Sequence, residues 1–187
     1  MATLKVFFPG RRYGIDRSYL YFLDRYIDGD SIYLEYDKKR YEKDVIELEE
    51  NIKEAYAYSI KILKDIDFKK YSEVIFIAKS IGTVVAGKIR EELKVNNARF
   101  ICLTPLNETL PYLKQTDFII TSKIDPFIDF SKIESIQNKF PFLTIYEDAP
   151  HSLEFKYDLK RTIYSLYENL ELALNYLDTA YKDILEE

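Results

Sequence analysis

The strongest local signal in the chain lies in Glu73-Val-Ile-Phe-Ile-Ala-Lys-Ser-Ile-Gly-Thr-Val-Val-Ala-Gly87. Residues 74–78 form an unbroken apolar run that is rich in β-branched and aromatic side chains, which is typical of a strand buried on both faces. From Val84 to Ile89 the apolar residues recur at helical spacing. The pattern therefore predicts a buried strand that turns sharply at Ser80 and leaves as a helix.

The overall composition is that of an ordinary globular domain. Hydrophobic residues make up 47% of the 187 positions and charged residues 32%, which argues against disorder and against a fibrous protein. The net charge of −5, with Lys and Arg interspersed among Asp and Glu, gives no electrostatic case for nucleic acid. No apolar run approaches the roughly 20 residues of a membrane span, and we expect no signal peptide before the first strand. We therefore expect one domain over residues 1–187, with neither membrane nor nucleic acid as a partner.

Cysteine and histidine each occur only once in the sequence. Cys102 is the single cysteine, so no internal disulfide forms, and this fits a reducing, cytoplasmic location. His151 is the single histidine, which excludes metal sites that need several histidines. The sequence contains no glycine-rich phosphate loop and no other ligand cluster. We therefore predict that the protein uses no metal and no cofactor, and that any histidine chemistry depends on His151.

The remaining pattern is an alternation of strands and helices. Besides the strand at 74–78, apolar runs predict strands at residues 4–8, 31–36, 100–103, 118–121 and 142–146. Amphipathic spacing predicts helices from residue 44 to about 66 and from 157 to 185, with shorter helices near 20–27 and 130–136. Most of the strands are apolar throughout, so the sheet should be mainly parallel with helices on both faces. The predicted fold class is a three-layer α/β/α sandwich built on a doubly wound sheet of about six strands.

The last predicted helix carries a long apolar stripe. Its members are Leu159, Ile163, Leu166, Leu170, Leu174, Leu177, Tyr181 and Ile184. The simplest interpretation is a helix packed on the sheet. The alternative is that the C-terminal end of the stripe forms a homodimer seam, and the sequence leaves both open.

Four features follow directly after predicted strands: Pro9-Gly10, Ser80, Asp125 and His151. In open parallel sheets ligands bind beyond the carboxyl ends of the strands, so these residues should meet at one edge. A serine that attacks an acyl group needs a base to take its proton and an acid that orients the base. It also needs N–H donors for the oxyanion. The arrangement therefore predicts acyl-transfer chemistry with Ser80, His151 and Asp125 as its catalytic residues.

The same residues resemble motifs of the α/β-hydrolase superfamily. Ala78-Lys-Ser-Ile-Gly82 is similar to the nucleophile elbow G-x-S-x-G, with Ala78 in place of the first glycine. Lys123-Ile-Asp-Pro126 looks like the superfamily's acid turn, and Ala149-Pro-His-Ser-Leu153 like its histidine loop. The order Ser, Asp, His is the order of the superfamily. The match spans nearly the whole chain and resembles the small, lid-free members near dienelactone hydrolase, with the first two strands missing or shortened, a reduced α/β-hydrolase fold.

The resemblance implies an oxyanion hole made of backbone N–H groups. The first donor should be the N–H of Ile81, at the start of the elbow helix, where the helix dipole also favours negative charge. The second arises in the superfamily from the loop that here contains Gly10 and Arg11. We expect the N–H of Arg11 to donate, with Gly10 allowing the approach and its own N–H as a further candidate. Asp129 and Asp148 remain alternatives to Asp125 as the acid.

The substrate is predicted less sharply than the reaction. Arg11, Arg12, Lys79 and Lys123 make the predicted mouth of the site basic, which favours a substrate with a carboxylate unless these charges are simply solvated. Residues 106–115 are too few for an inserted cap domain, so the serine should lie in an open cleft that suits short acyl groups. The competing interpretation is a hydrophobic slot closed by aromatic side chains. Its candidates are Tyr13, Tyr112 and Phe127.

Taken with the resemblance, these residues imply a hydrolase that cleaves a small ester or thioester through an acyl-enzyme. One alternative is an acyltransferase that uses the same three residues and passes the acyl group to an alcohol or amine. Another, from a different class, is a non-catalytic binding module that keeps the fold. The presence of Ser80, Asp125 and His151 together disfavours the binding module, since a retired site is free to lose them.

Overall fold

The structure is a computed structural model that describes residues 2–36 and 47–179. Within these ranges the chain forms a six-stranded sheet in the order β2-β1-β3-β4-β5-β6, and all neighbouring strands are parallel. The strands are β1 (Thr3–Phe8), β2 (Asp30–Tyr33), β3 (Glu73–Lys79), β4 (Arg99–Leu103), β5 (Phe118–Ser122) and β6 (Leu143–Tyr146). The prediction of a mainly parallel sheet of about six strands is confirmed.

Helices cover both faces of the sheet, as the sequence predicts. They are α1 (Ser18–Tyr26), α2 (Leu48–Leu63), α3 (Ile81–Glu92), α4 (Phe130–Ile136) and α5 (Leu159–Asp178), with 3₁₀ turns at Phe68–Lys70, Asn107–Tyr112 and Gln137–Lys139. The predicted start of the second helix at residue 44 lies outside the described residues. In the described ranges, no helix combines the length and the apolar character that a bilayer crossing demands.

The core has two halves because successive side chains of a strand point to opposite faces of the sheet. Phe76 and Ile77 are neighbours on β3, and both are fully buried. Phe76 belongs to the half that packs beneath α2 and α3, whereas Ile77 packs toward α1 and α5. Residues 74–78 of the central strand β3 are therefore buried on both faces of the sheet, as their unbroken apolar run predicts.

The burial of α5 differs in detail from the predicted stripe. Its most buried positions are Ser165, Asn169, Ala173 and Tyr176, each adjacent in sequence or helix surface to the predicted apolar positions. The buried Asn169 at its centre is hydrogen-bonded, because its amide donates to the hydroxyl oxygen of Tyr19 on α1, at 3.0 Å. Leu159 and Ile163, at the start of the predicted stripe, are exposed. The positions at its end, from which the dimer seam is predicted, lie outside the described residues.

The buried cations Lys5 and Arg90 link helices to the sheet. Lys5 of β1 donates from Nζ to the carbonyl oxygens of Asp24 and Ile27, at 2.8 and 2.7 Å, and to Asp24 Oδ1 at 3.0 Å. Arg90 of α3 forms a two-pronged pair with Asp117, which directly precedes β5, at 2.6 and 2.8 Å. Each cation has a carboxylate partner, which is the condition under which a charge is tolerated in a protein interior.

Candidate active site

The carboxyl end of β3 leads directly into the helix α3 through Ser80. This serine has φ 55° and ψ −124°, a conformation that L-residues rarely adopt. Its N–H donates to the carbonyl of Leu103 on β4 at 3.1 Å, so the turn is fixed to the neighbouring strand. The result is a serine side chain lifted above the edge of the sheet, which is the geometry of a nucleophile elbow.

The small residues around Ser80 have distinct reasons to be small. A Cβ at Gly82 would collide with the carbonyl oxygens of Phe8 and Pro9 at the end of β1. Ala78 is fully buried between Phe8 and Cys102 on the adjacent strands. Its methyl group is accommodated there, so the departure from glycine at this position does not disturb the elbow.

Ser80, His151 and Asp125 form one hydrogen-bonded chain. His151 Nε2 lies 2.8 Å from Ser80 Oγ, and His151 Nδ1 lies 2.7 Å from Asp125 Oδ2. The other oxygen of Asp125 accepts the N–H of Phe127 at 3.0 Å, which orients the carboxylate from its own loop. The carboxylate of Asp125 can accept a hydrogen bond from Nδ1–H, and this tautomer leaves Nε2 free to accept a hydrogen bond from the serine hydroxyl.

The pKa of His151 is lowered from its ordinary value. Burial is the main cause, because it disfavours the charged imidazolium. The hydrogen bond to Asp125 acts in the opposite direction, and the charge of Lys79 adds to the lowering. At neutral pH the imidazole is therefore uncharged and able to accept a proton.

The two competing acids are engaged elsewhere. Asp129 caps α4 by accepting the N–H and the hydroxyl of Ser131, at 3.1 and 2.7 Å. Asp148 pairs with Arg161 of α5, whose Nη1 lies 2.9 Å from Asp148 Oδ2. Of the three predicted candidates, the structure brings Asp125 to His151.

The predicted oxyanion donors are placed differently from one another. Ile81 is the first residue of α3, and the first N–H groups of a helix have no acceptor within the helix. The prediction of the Gly10 N–H as a further oxyanion donor is corrected, because this N–H donates to the carbonyl of Tyr13 at 3.0 Å and is therefore occupied. A Cβ at Gly10 would lie 3.3 Å from the Cβ of Ser80. The lack of a side chain at this position thus lets the loop after β1 approach the serine, with Arg11 next in line.

A cleft of about 330 Å³ opens over Ser80 and His151. Its wall is formed by Gly10, Arg11, Arg12, Tyr13, Leu48, Lys79, Ile81, Leu106, Phe127 and Ser152. The ring of Phe127 packs on the imidazole of His151, with ring centroids 4.6 Å apart. Arg11, Arg12, Tyr13 and Phe127 therefore lie where the sequence predicts substrate contacts.

Tyr112, Lys79 and Lys123 do not form the exposed basic and aromatic mouth that the sequence predicts. Tyr112 is not in the cleft wall, because its side chain packs against Gly87 on α3. Lys79 borders the cleft, but only 1% of the residue is exposed, so it is not a solvated charge at the mouth. Lys123 is ion-paired with Glu147. The predictions of Tyr112 and Lys123 at the mouth are therefore wrong, because neither lies in the wall of the cleft, whereas Lys79 lies in the wall as predicted but is buried.

Sequence reasoning missed several residues that shape the site. Thr104 follows β4 directly and accepts a hydrogen bond from Lys79, so the rule of strand ends offered a signal for it. Thr83 contacts Thr109 at 2.6 Å, and Thr109 accepts the N–H of Leu106 in the cleft wall. Leu48 enters the wall from the start of α2, and no local pattern marks it. Within the ranges that the structure describes, no cluster of His, Cys, Asp and Glu could hold a metal ion.

Comparison with solved structures places this fold among the α/β hydrolases. A protein from Xanthomonas campestris pv. campestris that is assigned to the hydrolases of the α/β superfamily matches with a TM-score of 0.56 and 12% identity, over 94% of this chain and 99% of that one. An α/β serine hydrolase homologue from Coxiella burnetii matches with 0.54 and 11%, over 91% and 84%. A Pyrococcus furiosus esterase matches with 0.52 and 15%, over 90% and 80%.

These likenesses establish the architecture of the chain. The protein has the α/β-hydrolase fold, which confirms the fold that the resemblance of its motifs implies. No family model and no curated protein sequence matches the chain. The finer resemblance to dienelactone hydrolase stays a prediction.

Proposed function

We propose that the protein is a serine hydrolase that cleaves a small ester or thioester. The observation that carries this proposal is the hydrogen-bonded chain from Asp125 through His151 to Ser80, which ends in an open cleft. A nucleophile, a base and an orienting acid at these distances are the parts that acyl transfer requires. The names of two structural neighbours, a serine hydrolase homologue and an esterase, agree with this chemistry.

The proposed reaction has two halves. Ser80 Oγ attacks the carbonyl carbon of the substrate while His151 Nε2 takes the serine proton, and Asp125 stabilises the resulting imidazolium. The N–H groups of Ile81 and Arg11 bind the oxyanion of the tetrahedral intermediate. When this intermediate collapses, His151 gives its proton to the leaving alcohol or thiol, and the acyl group stays on Ser80. Water then attacks the acyl-enzyme while His151 takes its proton, and the proton passes to Ser80 as the acid is released.

The fate of the acyl group depends on which nucleophile reaches the acyl-enzyme. An alcohol or amine in place of water would make the same residues an acyltransferase, and analysis of the products with and without added acceptors separates the two reactions. A non-catalytic binding module would show neither reaction. The low pKa of His151 favours catalysis, because an uncharged imidazole is the form that a general base needs.

The central test is covalent labelling of Ser80 with a fluorophosphonate. The native protein should be labelled at this residue, whereas Ser80→Ala should not react. Ser135→Ala is the matched control, because Ser135 lies on α4 and, within residues 2–36 and 47–179, its hydroxyl donates only to the carbonyl of Lys132. Labelling of Ser80→Ala, or failure of the native protein to react, would refute the assignment of the nucleophile.

The size of the cleft predicts a preference for short acyl groups. A volume of about 330 Å³ lies at the lower end of the 300–1,000 Å³ that is usual for ligand sites. Each methylene that the cleft covers contributes about 0.8 kcal/mol, and methylenes beyond its wall contribute nothing. In a series of p-nitrophenyl esters, kcat/KM should therefore peak between acetate and butyrate. A steady rise to decanoate would instead indicate a long hydrophobic slot.

A further inference from the structure

Lys79 is a buried cation next to the proposed active site that the mechanism above does not use. It is the last residue of β3 and directly precedes Ser80. Its Nζ donates to the hydroxyl oxygen of Thr104 and to the main-chain carbonyl of His151. The same nitrogen lies 5.2 Å from the centre of the Tyr13 ring. The side chain thus connects the loops that follow β1, β4 and β6.

The partners of Lys79 differ from those of Lys5, the buried lysine on β1. Lys5 is bonded to the carboxylate of Asp24, whereas the oxygens that bind Lys79 belong to a hydroxyl and a carbonyl. Burial lowers the pKa of Lys79 to about 7, against the opposing effect of nearby negative charge. A lysine without a carboxylate partner in direct contact is costly to bury, so its position calls for a functional explanation.

The charges that act on Lys79 come from several elements. The carboxylates of Asp125, after β5, and Glu154, in the loop that contains His151, favour its charged form. Tyr13 and Cys102 also face it, and burial raises the pKa of both, so neither carries charge near neutral pH. His151 is the remaining titratable neighbour, and the positive charge of Lys79 lowers its pKa.

We propose that Lys79 is a positioning residue for His151, which holds the histidine main chain against Thr104 and keeps the imidazole unprotonated through its charge. The inference rests on the proposed function, in which His151 is the base. The two effects have separate origins: the hydrogen bond fixes the loop, and the charge disfavours the imidazolium. Because the pKa of Lys79, about 7, lies above the lowered pKa of His151, the lysine carries its charge while the imidazole titrates, and both effects operate.

The test exploits the fact that His151 is the only histidine in the chain. In protein prepared without a histidine tag, the Cε1–H resonance of this single imidazole reports its titration directly by NMR, whether or not the protein turns over an ester. In Lys79→Met the midpoint should rise by about one pH unit, since a neighbouring like charge is removed. Lys5→Met is the matched control and should leave the midpoint unchanged, because Lys5 is bonded to Asp24 and to the end of α1.

Kinetics then separate position from charge. Activity needs neutral His151, so the acid limb of kcat/KM for p-nitrophenyl acetate should move up in pH with the NMR midpoint. Lys79→Met should also lower the plateau of kcat/KM by about 10-fold to 100-fold, because the loop loses its anchor. Lys79→Gln keeps an N–H donor without the charge. It should restore much of the plateau while leaving the midpoint as high as in Lys79→Met.

The outcomes distinguish this inference from the proposed function. If the native protein fails to react with the fluorophosphonate, the proposed function fails, and the NMR titration still decides the effect of Lys79 on the imidazole. If the native protein is active and the midpoint in Lys79→Met equals that in Lys5→Met, the charge effect is refuted. A plateau that is unchanged in Lys79→Met would refute the positioning effect.

Discussion

Two buried aspartates lie at opposite ends of β5, and their surroundings give them different roles. Asp117 directly precedes the strand and is 1% exposed, while Asp125 follows it and is 3% exposed. Asp117 is held by the guanidinium of Arg90 and by the N–H of Lys114, at 2.7 Å. Asp125 is held by the N–H of Phe127 and by the imidazole of His151. Both carboxylates are thus fully engaged.

The difference between them lies in what the partner can do. A guanidinium stays charged at any ordinary pH, so the pair of Asp117 and Arg90 ends in a fixed contact within the packed interior. An imidazole can gain and lose a proton, and the other nitrogen of His151 reaches Ser80 in the cleft. Both carboxylates are therefore buried and fully hydrogen-bonded. The site of Asp125 differs because its partner can gain and lose a proton and reaches the cleft, which the proposed reaction requires.

The sharpest way to test this contrast is Asp125→Asn. The amide cannot stabilise the imidazolium and favours the wrong tautomer of His151. We therefore expect kcat to fall by about 10⁴-fold, the loss found for the same change in the best-studied Ser-His-Asp enzyme. The fold should persist, because the amide occupies the same volume. Steady-state kinetics with p-nitrophenyl acetate and the circular dichroism spectrum measure the two quantities. A loss of activity that merely follows a loss of folded protein would contradict the catalytic role.

Arg90→Met should produce the opposite pattern. It leaves Asp117 buried without a cation, and breaking a buried pair in this way costs about 3–5 kcal/mol in the free energy of unfolding. The proposed catalytic residues are untouched, so kcat per folded molecule should stay near that of the native protein. Denaturant unfolding gives the first value, and kinetics corrected for the folded fraction give the second. A large drop in corrected kcat would show that the Asp117 site serves the reaction after all.

The smallest effects are expected for the surface acids. Asp129→Asn keeps an oxygen that can cap α4 and removes only its charge, and Asp148→Asn removes an exposed ion pair. Neither carboxylate contacts His151 in the described part of the chain. Their kcat values should be indistinguishable from that of the native protein in the same assay. If either substitution costs more activity than Asp125→Asn, the acid must be reassigned, although the class of reaction would stand.

The sequence predicts the fold well because each strand is marked twice. An apolar run marks its interior, and a glycine, proline or polar residue marks its end, so all six strands are predicted within a few residues of their observed bounds. The strand-end rule then groups Ser80, Asp125 and His151 at one edge, and the structure brings their side chains into hydrogen-bonding contact. The sequence favours Asp125 as the acid but leaves Asp129 and Asp148 as alternatives, because all three are acids close to predicted strand ends; the structure brings Asp125 to His151.

What the sequence could not predict depends on contacts between distant loops. A lysine after a strand is ordinarily solvated, and nothing near Lys79 in the sequence reveals that Thr104 and His151 enclose it. Whether the N–H of Gly10 is available depends on the turn that returns Tyr13 to it. The position of the Tyr112 side chain similarly depends on packing against α3, where Gly87 leaves room for its ring. Such details arise from tertiary packing, which local patterns do not encode.

The backbone of Ser80 also bears on how the sequence could evolve. A positive φ at a residue with a side chain costs on the order of 1–3 kcal/mol, a substantial part of the roughly 5–15 kcal/mol that holds a typical domain together. Glycine adopts this conformation without that penalty. Selection for stability alone would therefore favour glycine at this position, so the proposed role of Ser80 as nucleophile sets the demands of folding and of chemistry against each other at position 80.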